Sequence, residues 1–261
     1  PFAIEKFLQR VVQQEEFTGK AIFQYQEIYS CFEAHSRMNA LSEDEILKNL
    51  NSALEETFLF LKKASHVMIT LGTSWIYKHV DQNEYVANCH KIPQKNFTKE
   101  LSSVAELEKS IQTSVEYIRQ LNPDCQFVFT VSPIRHAKDG LVESTRSKSH
   151  LITAIHQVLE GENGLKYFPS YELMMDELRD YRFYASDLLH PNQIAVNYIW
   201  ERFQETWLAE ETLPVMKQVE QIRQGLSHRP FNPNSTAHQK FQQKLQQQIV
   251  QLQQQFPFME F

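Results

Sequence analysis

The sequence predicts an α/β fold, a three-layer α/β/α sandwich with a mostly parallel sheet, followed by a C-terminal helical extension. Short apolar runs of strand length alternate with longer segments whose apolar residues recur with helical period, which is the order expected for a parallel sheet covered by helices. The chain has 261 residues, of which 42% are hydrophobic and 12% aromatic, enough for one large core. We therefore expect an α/β domain at residues 1–210 and the helical extension at residues 211–261.

The predicted elements alternate regularly after a first long helix. Ser42 and Glu45 form a capping-box pattern that predicts the start of that helix, and Ser103 and Glu106 repeat the pattern at the start of the next one. Residues 1–40 are ambiguous, since Ile22 and Phe23 fit the start of either a short strand or a surface helix. Strands are predicted at 67–71, 127–131 and 166–168, and helices at 43–63, 103–122, 151–161, 171–178 and 191–207.

The last 50 residues or so have a different, glutamine-rich composition. A polar helix is predicted from Val215 to Gln224 and ended by Gly225, and Pro230 and Pro233 predict a break in regular structure. A narrow apolar stripe then recurs at helical spacing, formed by Phe241, Leu245, Ile249, Leu252 and Phe256. Either this last helix packs across the domain, or its stripe is a surface for self-association.

Composition and charge exclude several classes of function. The net charge is −6 and no basic cluster tracks a phosphate backbone, so nucleic-acid binding is not expected. The chain has 6 glycines and no glycine-rich phosphate loop, and no histidine, cysteine and acidic residues have zinc-site spacing, so we expect no cofactor and no metal. No apolar run reaches the roughly 18 residues of a membrane span.

The cysteines indicate a reducing environment. Cys31, Cys89 and Cys125 cannot all pair and form no C-x-x-C motif, so free thiols are the simpler interpretation. We therefore favour a cytoplasmic location. No signal peptide is visible, but a chain that begins without methionine gives no information on that point.

An Asp/His pair precedes the last helix of the predicted α/β domain. Asp187 lies three residues before His190, and Pro191 suits the first turn of a helix. Histidine exchanges protons near neutral pH, and a carboxylate beside it fixes the tautomer of its ring and stabilises the imidazolium. The alternative interpretation is that Asp187 caps the helix and His190 is an ordinary surface residue.

Two further groups of polar residues follow predicted strands. Because ligands bind at the carboxyl ends of parallel strands, Gly72, Thr73 and Ser74 after the first strand should lie at the same edge as Asp187 and His190. Ser132, Arg135 and His136, which follow the second strand, should also lie there. Alternatively, these residues form turns and caps, with Arg135 paired to Asp139 or Glu143.

Asn88 and His90 belong to a compact polar segment that is flanked by Val86 and Pro93. Asn88 is a candidate amide donor to an ester oxygen, and the alternative is a hydrogen-bonded loop. The aromatic residues Tyr181, Phe183 and Tyr184 lie in a charged segment just before Asp187, where they predict a structured wall beside the Asp/His pair.

Five segments resemble the GSCFA-domain family, a bacterial group similar to the SGNH hydrolases. These segments are 71–77, 87–93, 130–136, 167–172 and 176–184, and the D-x-x-H-P-N sequence at 187–192 is similar to the last motif of SGNH esterases and acyltransferases. The resemblance implies an SGNH/flavodoxin-like fold, with His190 as general base and Asp187 orienting it. It also implies an oxyanion or pocket role for Gly72, Thr73, Ser74 and Asn88.

The Gly-Ser-Cys-Phe-Ala motif that names the family is absent from this chain. Ser30, Cys31 and Phe32 look similar, but Tyr29 stands where the glycine belongs. We therefore expect the nucleophilic serine, with the first strand, on a segment preceding Pro1. Two hypotheses follow: a serine hydrolase acting on a small-molecule or glycan ester, or a non-catalytic ligand-binding module on the same fold.

Overall fold

The computed structural model describes residues 1–232 and 235–261, so the break predicted at Pro233 lies outside the described residues. The chain divides into two compact units, Pro1–Ile199 and Trp200–Phe261. The strands are β1 Ile22–Tyr25, β2 Ile28–Cys31, β3 His66–Leu71, β4 Trp75–His79, β5 Glu84–Val86, β6 Phe97–Leu101, β7 Gln126–Val131 and β8 Leu165–Tyr167. The helices are α1 Phe2–Gln13, α2 Glu43–Leu61, α3 Val104–Leu121, α4 Leu141–Gly161, α5 Ser170–Glu172, α6 Gln193–Trp207, α7 Thr212–Ser227 and α8 Thr236–Gln255.

A parallel sheet forms the centre of the first unit, with strand order β3-β7-β8. Leu71 pairs with Val131 at the ends of β3 and β7, so the loops that follow these strands leave the sheet side by side. The predicted α/β class with a parallel sheet and C-terminal helices is confirmed.

The hydrophobic core lies around β7, which is buried along almost its whole length. Phe127, Phe129 and Val131 are each at most 1% exposed, and buried stripes of α3 and α4 belong to the same core. Fully burying a side chain of this size contributes about 1.5–3 kcal/mol. Ser103 and Glu106 form a complete capping box at the start of α3, as the sequence pattern predicts.

Three features of the first unit were either left open by the sequence or predicted differently. Residues after Gly72 form β4, β5 and β6, an antiparallel sheet that the sequence did not predict. Residues 22–31 form the β1–β2 hairpin, which decides the ambiguity at Ile22 and Phe23 in favour of a strand. Helix α4 begins at Leu141, ten residues before its predicted start, because polar residues on its buried face interrupt the apolar period.

The second unit contains α7 and α8, which contact each other through a small apolar cluster. Its buried members are Ile222, Leu245, Ile249 and Leu252. The prediction that Gly225 ends α7 is wrong, since the helix continues to Ser227. A Cβ at Gly225 would lie 2.7 Å from Cδ1 of Leu245, so the glycine is there to allow close packing. Self-association through α8 stays a prediction.

Candidate functional site

Asp187 and His190 lie in a turn that is closed by its own backbone. The N–H of Ala185 donates to the carbonyl of His190 at 2.7 Å, and Tyr184 forms a bridge with Pro191. Leu188 has a φ of 59°, a left-handed conformation that costs a residue other than glycine about 1–2 kcal/mol. Such strain persists where the surrounding structure imposes it, often at functional sites.

The Asp187 carboxylate is fully engaged by this turn. Its Oδ2 lies 2.6 Å from Nδ1 of His190, and its Oδ1 accepts the backbone N–H groups of Leu189 and His190 at 2.9 and 3.0 Å. These backbone bonds, followed by the bond to the imidazole, lower the pKa of Asp187 to about 2. The carboxylate is therefore ionised at neutral pH and holds the ring by Nδ1, while the side chain of His190 is 54% exposed.

Asn192 caps the helix that follows. Its Oδ1 accepts the backbone N–H groups of Ile194 and Ala195, and α6 begins at Gln193. The expectation that Pro191 occupies the first helical turn is therefore wrong by two residues. The alternative in which Asp187 caps the helix is wrong as well, because the capping bonds belong to Asn192.

The loop after β3 is fastened to α4 by a buried hydroxyl. The Oγ of Ser147 lies 2.9 Å from the hydroxyl of Thr73 and accepts the backbone N–H of Ser74 at 2.8 Å. The hydroxyl of Ser74 donates to the Ser147 carbonyl, and Ser74 is 0% exposed. Both donors of Ser74 are thus used inside the protein, and its predicted role toward an oxyanion stays a prediction.

Lys148 joins the two neighbouring loops. Its Nζ donates to the carbonyls of Gly72 and Ser132, both at 2.6 Å, and the side chain is almost completely buried. Burial lowers the pKa of this ammonium group to about 8. One cation therefore fixes the first residue after β3 to the first residue after β7.

The loop after β7 connects this network to the Asp/His turn. The N–H of Arg135 donates to the carbonyl of Leu189 at 3.2 Å, next to His190. A Cβ at Gly72 would lie 3.8 Å from Nε2 of His136, which is ordinary contact. Burial, together with the charge of Lys148, lowers the pKa of His136. The loops after β3 and β7 and the Asp187–His190 turn therefore form one continuous region.

Asn88 and His90 form a separate turn. The Oδ1 of Asn88 accepts the N–H of His90 at 2.8 Å, and Nε2 of His90 lies 2.7 Å from the carbonyl of Cys31. The His90 ring is buried beside Phe23 and Phe32. None of these contacts reaches the loop at Gly72, and the predicted pocket role of Asn88 and His90 stays a prediction.

An open cleft of about 710 Å³ begins at the loop after β3. Gly72 and Thr73 form part of its wall, and Trp75, Tyr77 and Tyr85 from the antiparallel sheet form another part. The cleft offers aromatic surface and polar groups within reach of the loop that the sequence predicts to bind the ester.

Comparison with family models decides the family. The GSCFA family matches residues 1–203. The chain belongs to the GSCFA family. The C-terminal domain of GSCFA domain proteins matches residues 219–261, so both units of the structure carry GSCFA sequence. No curated protein matches the chain. GSCFA membership is consistent with an SGNH-like, hydrolase-type domain.

Sequence analysis missed the two residues that organise this GSCFA site. Ser147 and Lys148 lie on the buried face of α4, three to eight residues before Leu151 and Ile155. The signal was available: a lysine three residues before Leu151 and seven before Ile155 occupies the apolar stripe, and a lysine on such a stripe is almost never buried without partners.

Among the described residues of this GSCFA protein, no group of histidine, cysteine and acidic residues could hold a metal ion. No helix within the described ranges is long and apolar enough to cross a membrane. The three cysteines are free thiols.

Proposed function

We propose that this GSCFA protein is an SGNH-like hydrolase or acyltransferase that acts on an acyl ester, with His190 as general base. The geometry of the Asp187–His190 turn carries this proposal. One carboxylate oxygen holds Nδ1 of the ring at 2.6 Å while the other is fixed by two backbone N–H groups. The opposite ring nitrogen, Nε2, is then the proton acceptor, and the ring is exposed enough to meet a substrate.

The reaction begins when a hydroxyl oxygen attacks the carbonyl carbon of the ester. Nε2 of His190 takes the hydroxyl proton, and the carbonyl oxygen becomes an oxyanion. When the tetrahedral intermediate collapses, the bond to the alcohol breaks and His190 returns the proton to that alcohol. Water, or an acceptor alcohol, then attacks the acyl group in the same way and regenerates the free hydroxyl.

The nucleophile is the part of this mechanism that residues 1–261 leave open. Among the described residues, no side chain is hydrogen-bonded to Nε2 of His190. The resemblance to the SGNH hydrolases implies a serine as this nucleophile.

The size and lining of the cleft favour an ester with a bulky acyl or alcohol group as the substrate. The aromatic rings of Trp75, Tyr77 and Tyr85 offer the surface that sugars and acyl chains pack against, and Gly72 and Thr73 line the same cleft. A carbohydrate or lipid acyl ester fits this combination.

A second candidate function is a non-catalytic binding module on the same fold. It is favoured by Ser74, whose N–H and hydroxyl donate to Ser147 and so do not point to a ligand. Under this function the cleft still binds its ligand, but His190 reacts with nothing.

The deciding experiment uses the protein together with any native sequence that precedes Pro1. A fluorophosphonate probe labels an activated serine whatever the natural substrate is, and short aryl esters report turnover. We expect labelling and turnover in the parent and a loss of both in His190→Ala. His66→Ala is the matched control, because His66 is also exposed but lies at the start of β3, the opposite end of the strand.

Two results oppose the proposal. Labelling that survives in His190→Ala would show that another base activates the nucleophile. A parent protein that is neither labelled nor active, yet binds esters in the cleft, would favour the binding module.

A further inference from the structure

Arg135 lies against two neighbouring tyrosine rings beside the Asp187–His190 turn. The carbon at the centre of its guanidinium lies 4.2 Å from the centroid of the Tyr184 ring and 5.4 Å from that of Tyr181. Cation–π contacts of this kind fix the plane of the guanidinium. Part of its edge reaches the hydroxyl of Tyr184, and its other N–H donors have no carboxylate partner among the described residues.

No carboxylate of the described residues forms an ion pair with Arg135. The two acidic residues that the sequence offers as partners are both engaged elsewhere. Asp139 pairs with Lys99, and Glu143 pairs with Arg146. The alternative in which Arg135 pairs with one of them is therefore wrong, and its positive charge remains uncompensated within this part of the chain.

The hydroxyl of Tyr184 is a second unsatisfied donor at the same place. Tyr184 is 5% exposed, and its hydroxyl has no hydrogen-bond acceptor among the described residues. Burial raises the pKa of this hydroxyl, and the charge of Arg135 and a side-chain hydrogen bond with it oppose the change. A guanidinium can only donate, so the hydroxyl hydrogen itself still has no acceptor among the described residues. Buried polar groups in native proteins are usually satisfied, and an exception calls for a ligand, water or function.

Both donors are tied to the proposed catalytic turn by backbone contacts. Arg135 donates its N–H to the carbonyl of Leu189 at 3.2 Å, and Tyr184 forms the bridge with Pro191. His190 lies between Leu189 and Pro191 in sequence. A ligand bound by Arg135 and Tyr184 would therefore lie in the neighbourhood of the His190 ring.

We propose that Arg135 and Tyr184 form a subsite for an oxyanion, so that the ester carries a carboxylate or phosphate group close to the bond that is cleaved. The inference rests on the proposed function, because the bound anion is part of a substrate only if the protein cleaves esters. A guanidinium that lies over the Tyr184 ring keeps planar edge donors for a ligand, and these match the two oxygens of a carboxylate or phosphate. The tyrosine hydroxyl adds a third donor.

Equilibrium binding tests the subsite without requiring turnover. Calorimetric titrations of the protein would use monomethyl succinate for the carboxylate, inorganic phosphate for the phosphate, and neutral methyl butyrate as the reference ligand. We expect at least one of the two anions to bind and methyl butyrate to bind more weakly. The tighter anion identifies the group that the substrate carries.

Three variants sharpen the titration. Losing a charge-assisted hydrogen bond weakens binding by about 10- to 100-fold, which is the effect expected of Arg135→Gln. Tyr184→Phe keeps the ring and removes the hydroxyl, so a smaller loss of about 3- to 10-fold is expected. Arg182→Gln is the matched control, because Arg182 lies over Phe183 but is paired with Asp180, and it should bind like the parent.

The results separate the subsite from the proposed function. If neither anion binds, or if Arg135→Gln and Tyr184→Phe both bind as the parent does, the subsite is overturned even when His190-dependent hydrolysis is found. If binding depends on Arg135 but the protein neither labels with fluorophosphonate nor hydrolyses esters, the subsite stands and the hydrolase function falls.

Discussion

The loop at Gly72–Ser74 and the turn at Asp187–His190 border the same region but are built in opposite ways. The first is partly buried. Ser147 binds its Thr73 hydroxyl and Ser74 N–H, and Lys148 donates to its Gly72 carbonyl; both partners lie more than 70 residues away in the chain. The second is exposed, and its polar groups bind each other within four residues. The loop at Gly72–Ser74 is fixed by hydrogen bonds to distant residues. The turn at Asp187–His190 is fixed mainly by its own hydrogen bonds, which leave Nε2 of His190 without a partner.

This contrast indicates which residues at a strand end are available to bind a ligand. A buried donor that already has a partner is costly to withdraw from it, because its partner is left unsatisfied. An exposed imidazole that is hydrogen-bonded through one nitrogen can use its second nitrogen without leaving any buried group unsatisfied. We therefore expect substitutions in the Asp187–His190 turn to change activity, and substitutions around the Gly72–Ser74 loop to change the free energy of unfolding.

Asp187→Asn should produce the largest effect, on activity alone. The amide oxygen can still accept the two backbone N–H groups, so the turn and the thermal midpoint should change little. The amide nitrogen facing Nδ1 would favour the wrong imidazole tautomer and remove the charge, which in a serine protease lowers kcat by roughly 10⁴-fold. We expect a loss of about 10³- to 10⁴-fold in ester turnover.

Asp187→Glu is the companion variant for that measurement. It restores the carboxylate and should recover part of the activity if the charge and tautomer matter. Equal turnover in the parent and in Asp187→Asn would mean that the pair does not act as a base with its orienting carboxylate.

Lys148 should make the free energy of unfolding depend on pH, and this dependence should be absent from the Lys148→Met variant. Burial lowers the pKa of Lys148 from 10.5 to about 8, so between pH 8 and 10.5 the unfolded chain binds more protons than the folded chain. The free energy of unfolding of the parent should therefore rise with pH across that window relative to the variant, by on the order of 3 kcal/mol.

Urea unfolding of both proteins at several pH values measures this difference. Below about pH 8 the two free energies should run parallel, because both states then carry the proton. A difference that stays constant up to pH 10.5 would mean that Lys148 is not held in a dry environment.

Ser147→Ala should have the smallest effect, and on stability alone. It removes the hydroxyl that binds Thr73 and the N–H of Ser74, leaving a buried donor unsatisfied at a cost of about 1–3 kcal/mol. Ser149→Ala, on the exposed face of the same helix, should change the free energy of unfolding by less than about 0.5 kcal/mol. Equal effects of the two substitutions would contradict the role assigned to Ser147.

Patterns of short range were predictable from the sequence. The capping box at Ser103 and Glu106 and the apolar period of α3 depend on neighbours within one or two turns, so both appear in the structure as predicted. The Asp187–His190 contact is also local. The antiparallel sheet of β4, β5 and β6 was missed because Trp75–His79 has no strict alternation of apolar and polar residues. The pairing of β4 with β6 also joins residues 18 to 26 positions apart.

Tertiary contacts decided which polar residues were free to bind. Thr73 and Ser74 look like ligand donors in sequence, and only the approach of α4 reveals that Ser147 uses them. Arg135 has two acidic residues within eight positions along the chain, yet the fold pairs both with other cations.

The alternation of elements, the motifs shared with GSCFA proteins and the Asp/His pair are patterns of neighbouring residues, so they could be predicted before the fold was known. The contacts of Lys148 with the loops after β3 and β7, and those of Arg135 with Tyr181 and Tyr184, appear only in the folded chain. The physical reason is that hydrogen bonds and charges are shared among whatever groups the fold brings within about 3 Å, and the linear order of residues does not say which groups those are.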